Sequence, residues 1–231
     1  RQRQMCIRDR TVSHHYVMKY PKQRDDVSYG VPVDWKPDAD SATSVIGNTV
    51  FFLKPTPGAP NGSVLNGTVA KLAFSQPHGL YDEPFDLTIS TETPGATLRY
   101  TTDGSVPTVD SGTVLEGGLL KMEKTTVLRV AGFKPGFKPT KVVTRTYLFP
   151  KDIVRQSPDG LPPNGFPYEW GFNYVDYGMD QRVVNDNRYK DRIFDGLRSL
   201  PSYSLVMEMD DLFDEESGIF AKAKNDGREW E

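Results

Sequence analysis

A chain of 231 residues holds one large domain or two small ones, and 37% hydrophobic with 26% charged residues is the composition of a soluble globular protein. A formal net charge of -3 does not suggest the clustered basic surface that binds nucleic acid, and no apolar run reaches the roughly 18–20 residues of a membrane span. The 18 prolines and 20 glycines, beside frequent Thr, Val and Tyr, point to many short strands joined by turns. Cys6 is the single cysteine, so no intrachain disulfide forms, and the count does not choose between an intracellular and an envelope protein.

The first ten residues, RQRQMCIRDR, carry four arginines and no apolar period. They resemble translated sequencing-adapter read-through, and residues 1–10 are set aside as foreign to the fold. From Thr11 to Gly62 the chain is polar and rich in turns, with one apolar run, Val50-Phe51-Phe52-Leu53, readable as a buried strand. Pro55, Pro57 and Pro60 then remove backbone donors and stop any ladder, which marks a domain end. Residues 63–73 read as a linker. Tyr20-Pro21-Lys22-Gln23, Asp26-Val27-Ser28-Tyr29-Gly30 and Pro55-Thr56-Pro57-Gly58-Ala59-Pro60-Asn61 resemble the closing strands of a bacterial lamin-tail domain, so residues 11–62 are expected to be the end of such a domain.

Residues 74–149 are the best organised. Phe85, Leu87 and Ile89 alternate with Asp86, Thr88 and Ser90, which puts the apolar side chains on one face of a strand. Thr97–Thr101 repeats the pattern with Leu98 and Tyr100 inward. It breaks at Asp103-Gly104, where glycine takes positive φ and aspartate bonds the local backbone. Thr126–Phe133 is a further strand, closed by a turn at Lys134-Pro135-Gly136. Thr113–Leu115, Gly118–Met122 and Lys141–Phe149 complete a set of six or seven short strands with no helical period between them. That pattern predicts a mainly β chain built on an antiparallel β-sandwich. The strings Pro94–Thr108, which includes Arg99-Tyr100-Thr101-Thr102-Asp103-Gly104-Ser105, and Thr126–Ala131 resemble the chitobiase/β-hexosaminidase C-terminal type domain. The resemblance implies an immunoglobulin- or fibronectin-III-like sandwich that accompanies carbohydrate-active and other secreted enzymes.

After Pro150 the character changes, and a partial α+β segment is expected. Pro158–Gly171 reads as loop. Asp186 or Asn187 caps a predicted helix in which Tyr189, Ile193, Leu197 and Leu200 recur at helical intervals, and Pro201 ends it. Ser202–Met207 reads as a strand, Asp210–Phe213 as a short turn, and Gly218-Ile219-Phe220 as the start of another strand. Tyr177-Gly178-Met179-Asp180, Leu200–Met207, Asp211-Leu212-Phe213 and Gly227–Glu231 resemble the opening of a CotH kinase-family domain. That resemblance makes residues 150–231 a truncated front part, whose nucleotide- and metal-binding residues are expected beyond Glu231.

Candidate chemistry is sparse. Glu208, Asp210, Asp211, Asp214, Glu215 and Glu216 lack the ligand spacing and central glycine of a calcium loop, and read as a solvated, helix-starting acidic turn. His14 and His15 point to opposite faces of a strand, and His78 stands alone. Asp103, Gly104, Pro135 and Gly136 are read as structural turns, and the Asn61 and Asn66 sequons as turn residues. Tyr100 and Tyr147 share the strand alternation and read as core. Trp170, in a loop, is the candidate ligand-binding residue, suited to stack on a sugar.

The expectation is a non-catalytic fragment of an exported, multi-module bacterial protein, secreted or in the cell envelope. Its sandwich serves as a spacer or as an accessory module contacting cell-surface or extracellular polysaccharide. No catalytic, cofactor-binding or metal-binding residue is assigned, and no nucleic-acid partner or membrane span is expected. The alternatives are the front part of a CotH-like protein kinase, whose parent would use ATP and a divalent metal, and the accessory region of a glycoside hydrolase or adhesin.

Overall fold

The computed structural model describes residues 27–30, 50–163, 165–169, 174–214, 216, 218 and 219 with their side chains, and the backbone alone of 5–8, 11–15, 44–45, 170 and 173. The early strands are β1 (Met5–Arg8), β2 (Thr11–His15), β3 (Ser28–Gly30), β4 (Ser44–Val45), β5 (Val50–Phe52) and β6 (Gly67–Thr68). Next come β7 (Leu72–Phe74), β8 (Gly79–Leu80), β9 (Phe85–Thr91), β10 (Thr97–Thr101), β11 (Thr113–Val114) and β12 (Leu119–Met122). The last strands are β13 (Thr126–Phe133), β14 (Phe137–Lys138), β15 (Val143–Leu148), β16 (Glu169–Trp170) and β17 (Asn173–Tyr174). Four short helices follow β15: α1 (Pro150–Ile153), α2 (Gln181–Val184), α3 (Ile193–Ser199) and α4 (Met209–Phe213). The chain divides into two compact units, Arg1–Ala70 with Phe133–Thr140, and Lys71–Gly132 with Lys141–Glu231.

In the first unit β1, β2 and β4 form one small sheet, and β3 pairs antiparallel with β5. Phe52 is fully buried, and the Tyr29 and Phe51 rings lie 4.9 Å apart. The stretch read as a linker, residues 63–73, differs from that reading. It carries β6, which runs parallel to β14, and Leu65 and Val69 are buried. Leu65 and Val69 bury themselves while the intervening backbone finds partners, Asn66 N–H donating to Gly136 O (2.7 Å) and Val69 N–H to Lys138 O (2.9 Å).

The second unit contains the sandwich. A five-stranded sheet, in the order β11-β10-β13-β15-β8, faces a three-stranded sheet, β12-β9-β7. β13 and β15 pair antiparallel from Thr126 opposite Tyr147 to Val130 opposite Val143, and β8 joins the far edge in parallel. On β9 the alternation holds, with Leu87 and Ile89 buried and Asp86, Thr88 and Ser90 exposed. Leu87, Ile89 and Met122 from the smaller sheet meet Leu98, Leu128, Val130 and Tyr147 from the larger, with Leu115 and Phe149 closing the ends. Each such side chain contributes about 1.5–3 kcal/mol on leaving water. Tyr100 is half-buried against this core, as Thr101 beside it is buried. The Tyr81 and Phe85 rings lie 4.2 Å apart, tilted by 32°, and the Phe85 ring sits 5.6 Å from that of Tyr147.

Residues after Phe149 depart from several expectations. Asp186 does not cap a helix: its Oδ1 accepts from Arg188 N–H (2.8 Å) and closes a turn, and α3 begins only at Ile193. The apolar period expected there does not reach a core, since Tyr189 and Leu200 are 46% and 67% exposed. Ser202–Met207 joins no ladder, and its Tyr203 and Leu205 stand in solvent. Asp210–Phe213 lies in helix α4 rather than a turn. Gly218 and Ile219 donate to Asp214 O and Asp211 O and so form a turn instead of a strand, while Phe220 lies outside the described residues. Among the described residues no helix is long and apolar enough to cross a membrane.

This segment is fastened to the sandwich by polar contacts. Thr125 N–H donates to Asp152 Oδ2 (2.6 Å), and Thr125 Oγ1 accepts from Phe149 N–H (2.9 Å). Lys151 pairs with Glu83 at 2.7 Å, Arg198 with Asp82, and the Thr146 and Ser204 hydroxyls meet at 2.6 Å.

Candidate functional site

The end of the sandwich where β10 turns back is built around Asp103. Its Oδ1 accepts from Ser105 N–H (3.0 Å) and Ser105 Oγ–H (2.6 Å), and Thr101 Oγ1 donates to Ser105 O (2.5 Å). The Ser105 hydroxyl and amide hold the Asp103 carboxyl below the usual carboxylate range, because they bond its charged form. Gly104 sits at φ 88°, which a residue with a Cβ reaches only with strain. Its carbonyl accepts from Arg129 Nη1 (2.6 Å), and the same nitrogen lies 3.4 Å from Glu208 Oε1. Arg129 falls between the inward Leu128 and Val130 on β13, so the pleat sends its side chain out of the core and under this turn.

Between the Asp103 turn and the stretch leading into α4 runs a groove of about 850 Å³. Asp103, Ser105, Lys124 and Thr126 form its sandwich side, and Phe166, Met207, Met209 and Leu212 its apolar side. The Phe166 ring is steadied by edge contacts to Tyr177 (5.7 Å) and Phe213 (5.9 Å). A second, smaller hollow of about 470 Å³ lies over β15, lined by His78, Thr144, Thr146 and Ser204 among others.

The residues singled out from sequence do not converge. Trp170 is in strand β16 rather than a loop, opposite Asn173 of β17, and its side chain lies outside the described residues. Its hairpin neighbours Tyr168 and Tyr174 are exposed. Pro135 and Gly136 lie in the first unit, in a turn closed by Phe137 N–H to Lys134 O (3.0 Å). Gly136 has φ 74°, and a Cβ there would come within 2.6 Å of Asn66 Nδ2. Tyr147 is fully buried, its hydroxyl donating to Gln76 O (3.3 Å), and burial pushes that phenol up to about 12.

His78 Nδ1 lies 3.4 Å from Arg145 Nη1, whose guanidinium sits over the Phe74 ring. The side chains of His14 and His15 on β2 lie outside the described residues. Of the acidic group, Asp210 and Asp211 occupy the first turn of α4, where the helix dipole favours negative charge, and Asp214 Oδ1 accepts from Glu216 N–H. Glu215 is outside the described residues. No three His, Cys, Asp or Glu side chains among the described residues come together as a metal cage. Sequence reasoning passed over Arg129, Lys124 and Phe166. The signal for Arg129 was present, a charged residue at an outward position in an otherwise apolar strand. Nothing in the local sequence marks Lys124 or Phe166.

Residues 76–144 match the family model of the chitobiase/beta-hexosaminidase C-terminal domain. The match covers most of the sandwich and less than a third of the chain. The matched span takes in β8 to β14 and the first residues of β15, and stops short of the stretch that carries the apolar side of the groove. No curated protein and no solved structure matches the chain.

Proposed function

We propose that this chain is a non-catalytic part of an exported multi-module protein, in which the chitobiase-type sandwich contacts polysaccharide and carries the segment after Pro150 on its surface. The family match over residues 76–144 carries the carbohydrate reading. The second half is supported by the polar fastening of that segment at Asp152, Lys151, Arg198, Ser204 and Glu208. Trp170, in a hairpin flanked by exposed Tyr168 and Tyr174, is the residue proposed to stack on a sugar ring. Retention of the purified chain on insoluble chitin or cellulose, reduced by Trp170→Ala, is the expected result. Passage of the wild-type chain through both without retention overturns the carbohydrate reading.

A second reading rests on the resemblance of Tyr177–Glu231 to the opening of a CotH kinase domain, as the preceding residues 11–62 resemble the end of a lamin-tail domain. It makes the parent protein a kinase that takes phosphate from ATP with a divalent metal. Nucleotide-dependent labelling of an acceptor by the purified chain would overturn the non-catalytic assignment, whereas labelling by a longer parent alone supports both readings together.

A further inference from the structure

The groove beside the Asp103 turn has a chemistry that neither the family match nor the Trp170 hairpin accounts for. Its volume of about 850 Å³ falls in the range of roughly 300–1,000 Å³ that small-ligand sites occupy. Its two sides differ in kind. Thr102, Asp103, Ser105 and Thr126 set hydroxyls and a carboxylate along the sandwich side, and Phe166, Met209 and Leu212 give the other side an apolar surface. A pyranose is amphipathic in the same sense, with C–H groups on its faces and hydroxyls around its rim.

The polar groups also divide into those already engaged and those that are not. Asp103 bonds Ser105, and Glu208 pairs with Arg129, so these shape the groove. The side chains of Lys124 and Asp210, both exposed and lining it, have no hydrogen-bond or ion-pair partner among the described residues. One donates up to three hydrogen bonds and the other accepts, which is the pairing that vicinal hydroxyls satisfy.

We infer that this groove is an oligosaccharide-binding site, with Phe166 against a pyranose face and Lys124 and Asp210 on its hydroxyls. The inference rests on the carbohydrate reading above and gives it a place. It also requires both the sandwich, which supplies one side, and Phe166 with the stretch 205–212, which supply the other.

The test uses the full chain and soluble hexamers of β-1,4-linked glucose and β-1,4-linked N-acetylglucosamine, followed by titration calorimetry. Lys124→Ala and Asp210→Ala each remove a charge-assisted hydrogen bond and are expected to weaken binding about tenfold without changing Tm. Phe166→Ala is expected to weaken it further, and is read beside the other two because Phe166 also supports Tyr177 and Phe213. If the wild-type chain binds a hexamer and Lys124→Ala and Asp210→Ala bind it equally well, the groove is not the site, although the carbohydrate reading stands. Loss confined to Trp170→Ala moves the site to the hairpin and likewise overturns the groove. If the wild-type chain binds neither the hexamers nor the insoluble polysaccharides, the underlying reading fails as well.

Discussion

Leu128 and Leu205 lie in the same compact unit, yet one is fully buried and the other is 78% exposed. Around Leu128 both sheets of the sandwich send alternate side chains into one core, and the ladder on either side satisfies the backbone. Around Leu205 there is no ladder, and α2, α3 and α4 contribute no buried residue between them. Helices of four to seven residues are marginal on their own in water. The sandwich is therefore stabilised by its own apolar burial, while α2, α3 and α4 bury no side chain and the segment that holds them is fastened to the sandwich by hydrogen bonds and ion pairs.

The most direct attack on this contrast is truncation of the two leucines. Leu128→Ala leaves a cavity among Leu87, Ile89 and Tyr147 and should cost about 2–5 kcal/mol in chemical denaturation. Leu205→Ala should stay within about 0.5 kcal/mol. Comparable losses at both positions would show that the late segment has a core of its own.

The buried phenol of Tyr147 gives an effect nearly as large, and one that depends on pH. Its folded pKa of about 12 stands above the ordinary value of 10. The unfolded chain therefore releases this proton first, and the full stability present below pH 10 declines as pH rises towards 12. The loss approaches about 2–3 kcal/mol. Tyr147→Phe should abolish that part of the alkaline decline, at a cost of about 1 kcal/mol near neutrality for the bond to Gln76 O. A Phe variant with the same alkaline profile as the wild type would assign the decline to another group.

Asp152→Ala removes the acceptor of Thr125 N–H and should lower the local opening energy of α1 by about 1–2 kcal/mol. Hydrogen exchange should quicken around residues 150–154, with amides of β13 near Leu128 unchanged. Equal quickening in both would mean that segment and sandwich open as one. The smallest effect is expected for Glu83→Gln, which breaks a solvent-exposed pair with Lys151 worth about 0.2–1 kcal/mol, and the loss should shrink further in high salt.

How far the chain could be read in advance follows the same division. The period-two alternation at Phe85–Ile89 and at Leu98–Tyr100 was legible because a half-buried strand writes its two faces directly into the residue order. The turns at Asp103-Gly104 and Pro135-Gly136 could be proposed from residue chemistry alone. By contrast Tyr189, Ile193, Leu197 and Leu200 carry a helical period that no core answers, so the pattern predicts a longer helix than forms. Residues 63–73 read as a linker in the sequence, since Leu65 and Val69 only gain meaning from the turn near Gly136, far along the chain. The candidate groove was illegible for the same reason. Lys124, Phe166 and Asp210 are neighbours only after folding, and no spacing in the sequence links them.

The bond between Thr125 and Asp152 bears on how such a module can be moved between proteins. Thr125 lies inside the span that matches the family model, and its carboxylate partner lies outside it. A transplant of residues 76–144 alone would leave the β13 end of the sheet without that acceptor, Arg129 without Glu208 and Thr146 behind altogether. The cassette that can be exchanged intact is longer than the recognisable module and reaches at least to Glu208.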